Sequence, residues 1–256
     1  MEFPIQWTIF GVHVPLHLLF EVLAFSLGYR YYSYLRKYQT DPLSNSQRIL
    51  IIIGAALGAL IGSRVLGAME RPLDWWTAAD FWLYLYKNKT VVGGFVGGLI
   101  GVELMKKAYG IRQSSGDLFV FPIILALMIG RLGCFSMGVG EETYGMASNL
   151  PWAMDLGDGI RRHPVVLYEL IFLALLWICL NWISRRWSLQ SGKLFQFFMI
   201  AYVVYRFLQE FIKPVWTYDI IGLSSIQWVC LAVLAYYHKT ILSLFIAPHQ
   251  LLHDQK

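Results

Sequence analysis

The sequence predicts an all-α polytopic membrane protein with seven transmembrane helices, the N-terminus outside and the C-terminus cytoplasmic. Three observations carry this. Hydrophobic residues make up 57% and charged residues only 14% of the 256 positions, a composition outside the soluble globular range. Apolar runs of the length that crosses a bilayer, roughly 17–25 residues, recur near Val14–Tyr31, Ile49–Leu66, Thr90–Met105, Leu118–Phe135, Val165–Ile183, Leu194–Ile212 and Ser224–Phe245. Basic residues concentrate in alternate connections, which marks those ends as cytoplasmic.

The basic connections hold Arg30, Arg36, Lys37 and Arg48, then Lys106, Lys107 and Arg112, then Arg185, Arg186 and Lys193. Those between are mixed or acidic: Glu70, Arg71, Asp74 and Asp80; Glu141 through Arg162; and Lys213 against Asp219. The opening MEFPIQWTIFGVHV has no basic n-region and no small-residue cleavage site, so the first span is expected to stay. Without repeats, low-complexity tracts or a dividing linker, the chain reads as a single transmembrane domain over 1–256 with a polar outward-facing segment at 136–163. The net charge of +5 falls in short clusters that read as topology signals, so no nucleic-acid partner is expected. Cys134, Cys179 and Cys230 lack disulfide or zinc spacing. Residues 71–89 mix Trp75, Trp76, Phe81, Trp82, Tyr84 and Tyr86 with charges, as an interfacial helix or an aromatic belt does.

Charges beside or inside a bilayer are costly and need a partner or a function. Arg131 lies near the outer end of the fourth run, with Gly130 and Gly133 leaving its guanidinium uncovered, and its planar fork suits a phosphate; a snorkelling arginine is the bland alternative. Arg206 and Glu210, four apart with Tyr202 one turn before, sit in apolar surroundings and should turn inward, pair, and build a polar cavity. Arg64 repeats the pattern on the second run, with the same bland alternative. Gly93, Gly94, Gly97, Gly98 and Gly101 repeat at helical spacing and permit close approach of a helix or a lipid headgroup. His163 precedes Pro164, a helix start, with Tyr168 and Glu169 just inside the fifth run; His163 is a candidate base. His13 and His17 stand four apart with no evident third ligand, so no metal is expected. Serine-hydrolase, zinc-protease and nucleotide-binding motifs are absent.

The series VGGLIG (Val96–Gly101), GRLGCF (Gly130–Phe135), EETYG (Glu141–Gly145), RHPVVLYE (Arg162–Glu169) and YVVYRFLQE (Tyr202–Glu210) resembles the bacterial prolipoprotein diacylglyceryl transferase family, in the same order. Weaker echoes are the Arg64 segment and Gln227 in LSSIQWV. The resemblance implies a multi-pass enzyme of the bacterial cytoplasmic (inner) membrane that needs no cofactor. It moves a diacylglyceryl group from phosphatidylglycerol to the thiol of a prolipoprotein lipobox cysteine and releases glycerol phosphate. Together with the residue chemistry above, the resemblance gives Arg131, Arg206, Glu142, His163 and Glu210 as the expected catalytic group, and Arg64, Gly97, Gly98, Gly133, Cys134, Gly145, Tyr168, Glu169, Tyr202 and Gln227 as expected substrate contacts. Paired arginines in a low-dielectric cavity suit a phosphate leaving group, and thiolates form readily near positive charge.

The chain departs from the family pattern where a histidine usually precedes GGLIG (Val96 here), where an asparagine follows GRLG (Cys134), and where a tyrosine follows the LH pair (Leu18). The phosphate-binding half is thus better preserved than the acceptor-activating half, as in a divergent, paralogue-like branch. The acceptor is a lipoprotein cysteine or a different thiol, hydroxyl or sugar. A non-catalytic protein that binds or translocates glycerophospholipid is the alternative; a transporter ranks last, without repeat symmetry or broken helices in both halves.

Overall fold

The computed structural model describes residues 3–9, 12–219 and 222–246, except for the side chains at 8, 9, 12 and 13. A β-hairpin of β1 (Gln6–Ile9) and β2 (Val12–Pro15) leads into α1 (Leu16–Tyr38) and α2 (Asn45–Ala68). Two short helices, α3 (Pro72–Thr77) and α4 (Phe81–Lys87), occupy the connection to α5 (Val91–Ala108). Then come α6 (Val120–Met137), a hairpin of β3 (Met154–Asp155) and β4 (Arg161–Arg162), α7 (Val165–Arg186), α8 (Lys193–Gln209), α9 (Ser225–Tyr236) and α10 (His238–Ile246).

The helix starts are written locally. Ser44 with Gln47, and Ser224 with Gln227, form reciprocal capping boxes that satisfy orphan N–H groups of α2 and α9. The Asp117 carboxylate accepts from Gly192 N at 2.5 Å and Phe195 N at 2.9 Å, which caps α8 and ties its start to that of α6. Basic residues close α1, α5 and α7 (Arg36 and Lys37; Lys106 and Lys107; Arg185 and Arg186), where they complement the helix dipole.

Among the described residues, three helical segments are long and apolar enough to cross a membrane: α2, α6 with its flanking 3₁₀ turns (Asp117–Gly140), and α7; α9 and α10 make a fourth if the pair, bent by 59°, is one broken span. Seven spans are thus more than helix length and composition support. The helix α8 has 17 residues, α5 holds Glu103, Lys106 and Lys107 within 18, and α1 mixes Glu21 and Arg30 with a run of tyrosines. The continuous seventh helix expected over Ser224–Phe245 breaks at Tyr237. The exposed face of α7 is apolar (Ile171, Leu175, Ile178 and Trp182) while Glu169, Leu173, Leu176 and Leu180 on the other face are buried. That reversal of the soluble pattern suits a helix with lipid on one side.

Among the described residues the regular structure is helical apart from the two hairpins and two isolated β-bridges, which an all-α expectation omits. The second hairpin lies in the polar segment 136–163, where the Asp155 carboxylate accepts from Gly157 N and Gly159 N at 2.8 and 3.0 Å and turns the chain back on itself.

Two packing relations position the site. First, Gly54, Gly58 and Gly62 of α2 oppose Gly93, Gly97 and Gly101 of α5 so closely that a Cβ on any of them would strike the facing helix, mostly its backbone. Small residues alone permit such an approach. Second, Val92, Ile124, Leu173, Phe198, Met199 and Ile226 join α5 to α9 in one buried core, and Tyr202 carries that core up to a layer of charge.

Candidate active site

The charged layer is built by α6, α7 and α8. Arg131 is in the penultimate turn of α6, Glu169 in the second turn of α7, Tyr202 and Arg206 on one face of α8, and Glu210 just past its end. All are nearly inaccessible: Glu169 and Glu210 are 1% exposed, Arg131 and Arg206 6%. Buried charges are tolerated only when paired and hydrogen-bonded, and the pairing converges on Glu169. Its Oε1 lies 2.9 Å from Arg131 Nε and accepts from Tyr202 OH at 2.9 Å, while Oε2 lies 3.6 Å from Arg206 Nη1. Arg206 Nη2 donates to Glu210 Oε1 at 2.9 Å, Ser224 Oγ donates to Glu210 Oε2 at 3.3 Å, and Lys213 Nζ stands 3.8 Å from Glu210 Oε1.

Three cationic groups against two carboxylates leave this cluster with one positive charge in excess. It borders a small cleft lined by Arg131, Arg206, Glu169, Thr143, Gln209 and Lys213, among others. Arg206 Nε, Thr143 Oγ1 and Gln209 Oε1 are buried without a protein hydrogen bond. Such groups carry a desolvation cost unless something else pairs with them. An anion with several acceptor oxygens meets the guanidinium donor and the excess charge together.

Beside the cluster, burial pushes the Glu70 carboxyl up to about 7 against the pull of Lys213, with Glu210 adding to the rise. Burial likewise lowers the Lys213 ammonium from its ordinary value, against the pull of Glu210.

Of the residues singled out from sequence, Arg131, Glu169, Tyr202, Arg206 and Glu210 form this one constellation. Gln227 borders it: capped on Ser224, its Nε2 donates to Phe207 O at 3.2 Å. Apart from Cys134, which touches Arg131, the remainder lie elsewhere. The Glu142 side chain is 71% exposed and 3.7 Å from Arg71 Nη2. His163 Nδ1 is 3.3 Å from Tyr168 OH, which accepts from Trp152 Nε1 at 2.8 Å, and Gly145 packs on His163. Arg64 lies over the Tyr86 ring at 5.6 Å. Gly97 abuts Gly58 and Gly62, and Gly98 abuts Ala55 and Ala59, so both serve the α2–α5 contact. Gly133 packs on His17 and Phe20, and Cys134 Sγ accepts from Arg131 Nη1 at 3.7 Å. The side chain of His13 lies outside the described residues.

Thr143, Gln209, Lys213 and Glu70 escape the sequence reading. Gln209 is polar within an apolar helix and Lys213 stands one turn past Glu210, so both carried a signal. Thr143 and Glu70 sit in polar connections, where nothing distinguishes them.

Helices with apolar outer faces around a buried arginine–carboxylate cluster and a net-positive cleft define a membrane protein with a charged centre inside its helical bundle. The chain belongs to the prolipoprotein diacylglyceryl transferase family, whose sequence model matches residues 4–242. It is similar to the phosphatidylglycerol–prolipoprotein diacylglyceryl transferases of Idiomarina loihiensis (28% identical, covering 91% of each chain), Methylobacillus flagellatus (33%, covering 69% of each) and Bordetella bronchiseptica (31%, covering 70% of this chain and 68% of the relative).

Proposed function

We propose that this protein is a phosphatidylglycerol-dependent transferase that moves a diacylglyceryl group to the cysteine thiol of a prolipoprotein. The observation that carries the reading is Glu169 held between Arg131 and Arg206 at the edge of a net-positive cleft. In the proposed reaction the acceptor thiol loses its proton to a base. The sulfur then attacks the glyceryl carbon, a new C–S bond forms, and the C–O bond to phosphate breaks with the electron pair leaving on oxygen. Charge grows on the phosphate oxygens as that bond breaks. Guanidinium groups fixed by Glu169 and Glu210 meet it without reorganising, which lowers the barrier selectively at the transition state.

Among the described residues His163 suits the base better than Glu142, because it is half-buried on Tyr168 whereas Glu142 is largely in solvent. Arg64 and Gln227 frame the lipid rather than the reacting atoms. The reading places the protein in the bacterial inner membrane with seven spans, N-terminus out and C-terminus in, as the alternation of basic connections favours. The cleft then opens toward the outer face, where lipoprotein precursors arrive.

The test is reconstitution into phosphatidylglycerol vesicles with a lipobox peptide, followed by peptide mass. One added diacylglyceryl unit, lost in Arg131→Ala, is expected. Lipid retained with the peptide unchanged would favour the second reading, a lipid-binding protein, for which the apolar Val96, packed against the core, is the supporting observation.

A further inference from the structure

Three side chains with metal-ligand chemistry converge beside the arginine cluster. His17 stands in the first turn of α1, Cys134 in the last turn of α6, and Glu141 just beyond that helix. One ligand atom from each lies within 4.8 Å of the others. His17 Nδ1 and Glu141 Oε2 are 3.3 Å apart, an ion pair when the imidazole is protonated, but both atoms are buried and neither has a hydrogen bond of good geometry to satisfy it. Two adjacent buried polar atoms left in this way carry a desolvation cost that a shared cation offsets. Gly133 fits the same purpose, since a Cβ there would stand 3.2 Å from His17 Nδ1.

We propose that His17, Cys134 and Glu141 bind a divalent ion of the zinc class, with a fourth position open. A nitrogen, sulfur and oxygen set matches Zn²⁺, whereas a thiolate disfavours magnesium and calcium. Two ligands about 2.1 Å from a tetrahedral zinc stand about 3.4 Å apart, close to the His17–Glu141 separation; the sulfur needs only to close in. Binding displaces the thiol proton to solvent. The Cys134 thiolate and the Glu141 carboxylate then neutralise the ion. Arg131, 3.7 Å from the sulfur, keeps its own counter-charge in Glu169, and its N–H supports the thiolate from outside the coordination sphere. Resting on the transferase reading, the open position holds an incoming thiol as thiolate next to Arg131.

The experiment uses full-length protein in detergent, stripped with chelator, loaded with Zn²⁺ or Co²⁺, freed of excess metal by gel filtration, and analysed by elemental mass spectrometry and visible absorption. The expected result is about one ion per chain, with tetrahedral ligand-field bands and a thiolate-to-cobalt charge-transfer band. Cys134→Ser should abolish the charge-transfer band, and it and Glu141→Gln should each weaken binding at least about tenfold. Cys134→Asn, checked for an unchanged gel-filtration profile, separates ligand loss from misfolding. Wild-type protein binding no more metal than a folded His17→Ala/Cys134→Asn variant, or cobalt bound without the charge-transfer band, overturns the proposal and leaves His17–Glu141 as an ordinary ion pair. Metal is counted without turnover, so a loaded but inactive protein would sink the transferase reading alone, and an active protein without metal would sink the site alone.

Discussion

Arg131 of α6 and Glu169 of α7 meet at 2.9 Å with both side chains less than a tenth exposed. Because Glu169 also faces Arg206 and accepts from Tyr202, one carboxylate compensates two cations from two helices. Glu169→Gln should therefore leave buried positive charge uncompensated and destabilise the protein by roughly 3–5 kcal/mol, read as a lower unfolding temperature in detergent. An unfolding temperature equal to that of the wild type would mean the arginines find other compensation.

Arg131→Ala should reduce kcat/KM for diacylglyceryl transfer by about 10²–10³-fold, the usual cost of removing one transition-state donor. Arg206→Lys keeps the charge but loses the fork that engages Glu169 and Glu210 together, so it should cost at least about tenfold. Steady-state kinetics in phosphatidylglycerol vesicles checks both; a lysine variant at wild-type rate would argue for a point charge rather than a fork at this position.

Glu70, with its carboxyl at about 7 in the folded protein, binds its proton more tightly folded than unfolded. Folding stability from this group is greatest below the unfolded value near 4.5 and is lost as pH rises toward 7. A decline on the order of 2–3 kcal/mol across that window is expected. Glu70→Gln should flatten it, and an unchanged pH profile of thermal unfolding in that variant would assign the slope to other groups.

Gly97 and Gly98 are neighbours with opposite expectations. A Cβ on Gly97 would strike the backbone of Gly58 and Gly62, whereas one on Gly98 finds ordinary contact distances to Ala55 and Ala59. Gly97→Ala should destabilise by about 1–3 kcal/mol through overpacking, and Gly98→Ala by well under 1 kcal/mol. Equal melting temperatures for the two would show that α2 and α5 can separate at no cost.

Much of this protein is legible from residue order because a membrane makes polar groups conspicuous. A charge inside an apolar run must be compensated or used, so Arg131, Glu169, Arg206 and Glu210 announce themselves, and the Arg206–Glu210 pair follows from a spacing of one helical turn. The helix caps at Ser44 and Ser224 and the glycine stripe of α5 follow from equally local rules. What spacing along one chain leaves open is how separate helices rotate and cross. Packing alone decided that Glu169 serves both arginines, that Gly97 meets α2, that Gln209, Thr143 and Lys213 join the cleft, and that Glu142 stays in solvent. It also brought Glu141 and Cys134 to His17, from segments more than a hundred residues apart. The reason is physical: sequence periodicity states which face of a helix is polar, while the partner across that face is chosen by the shapes of several helices at once.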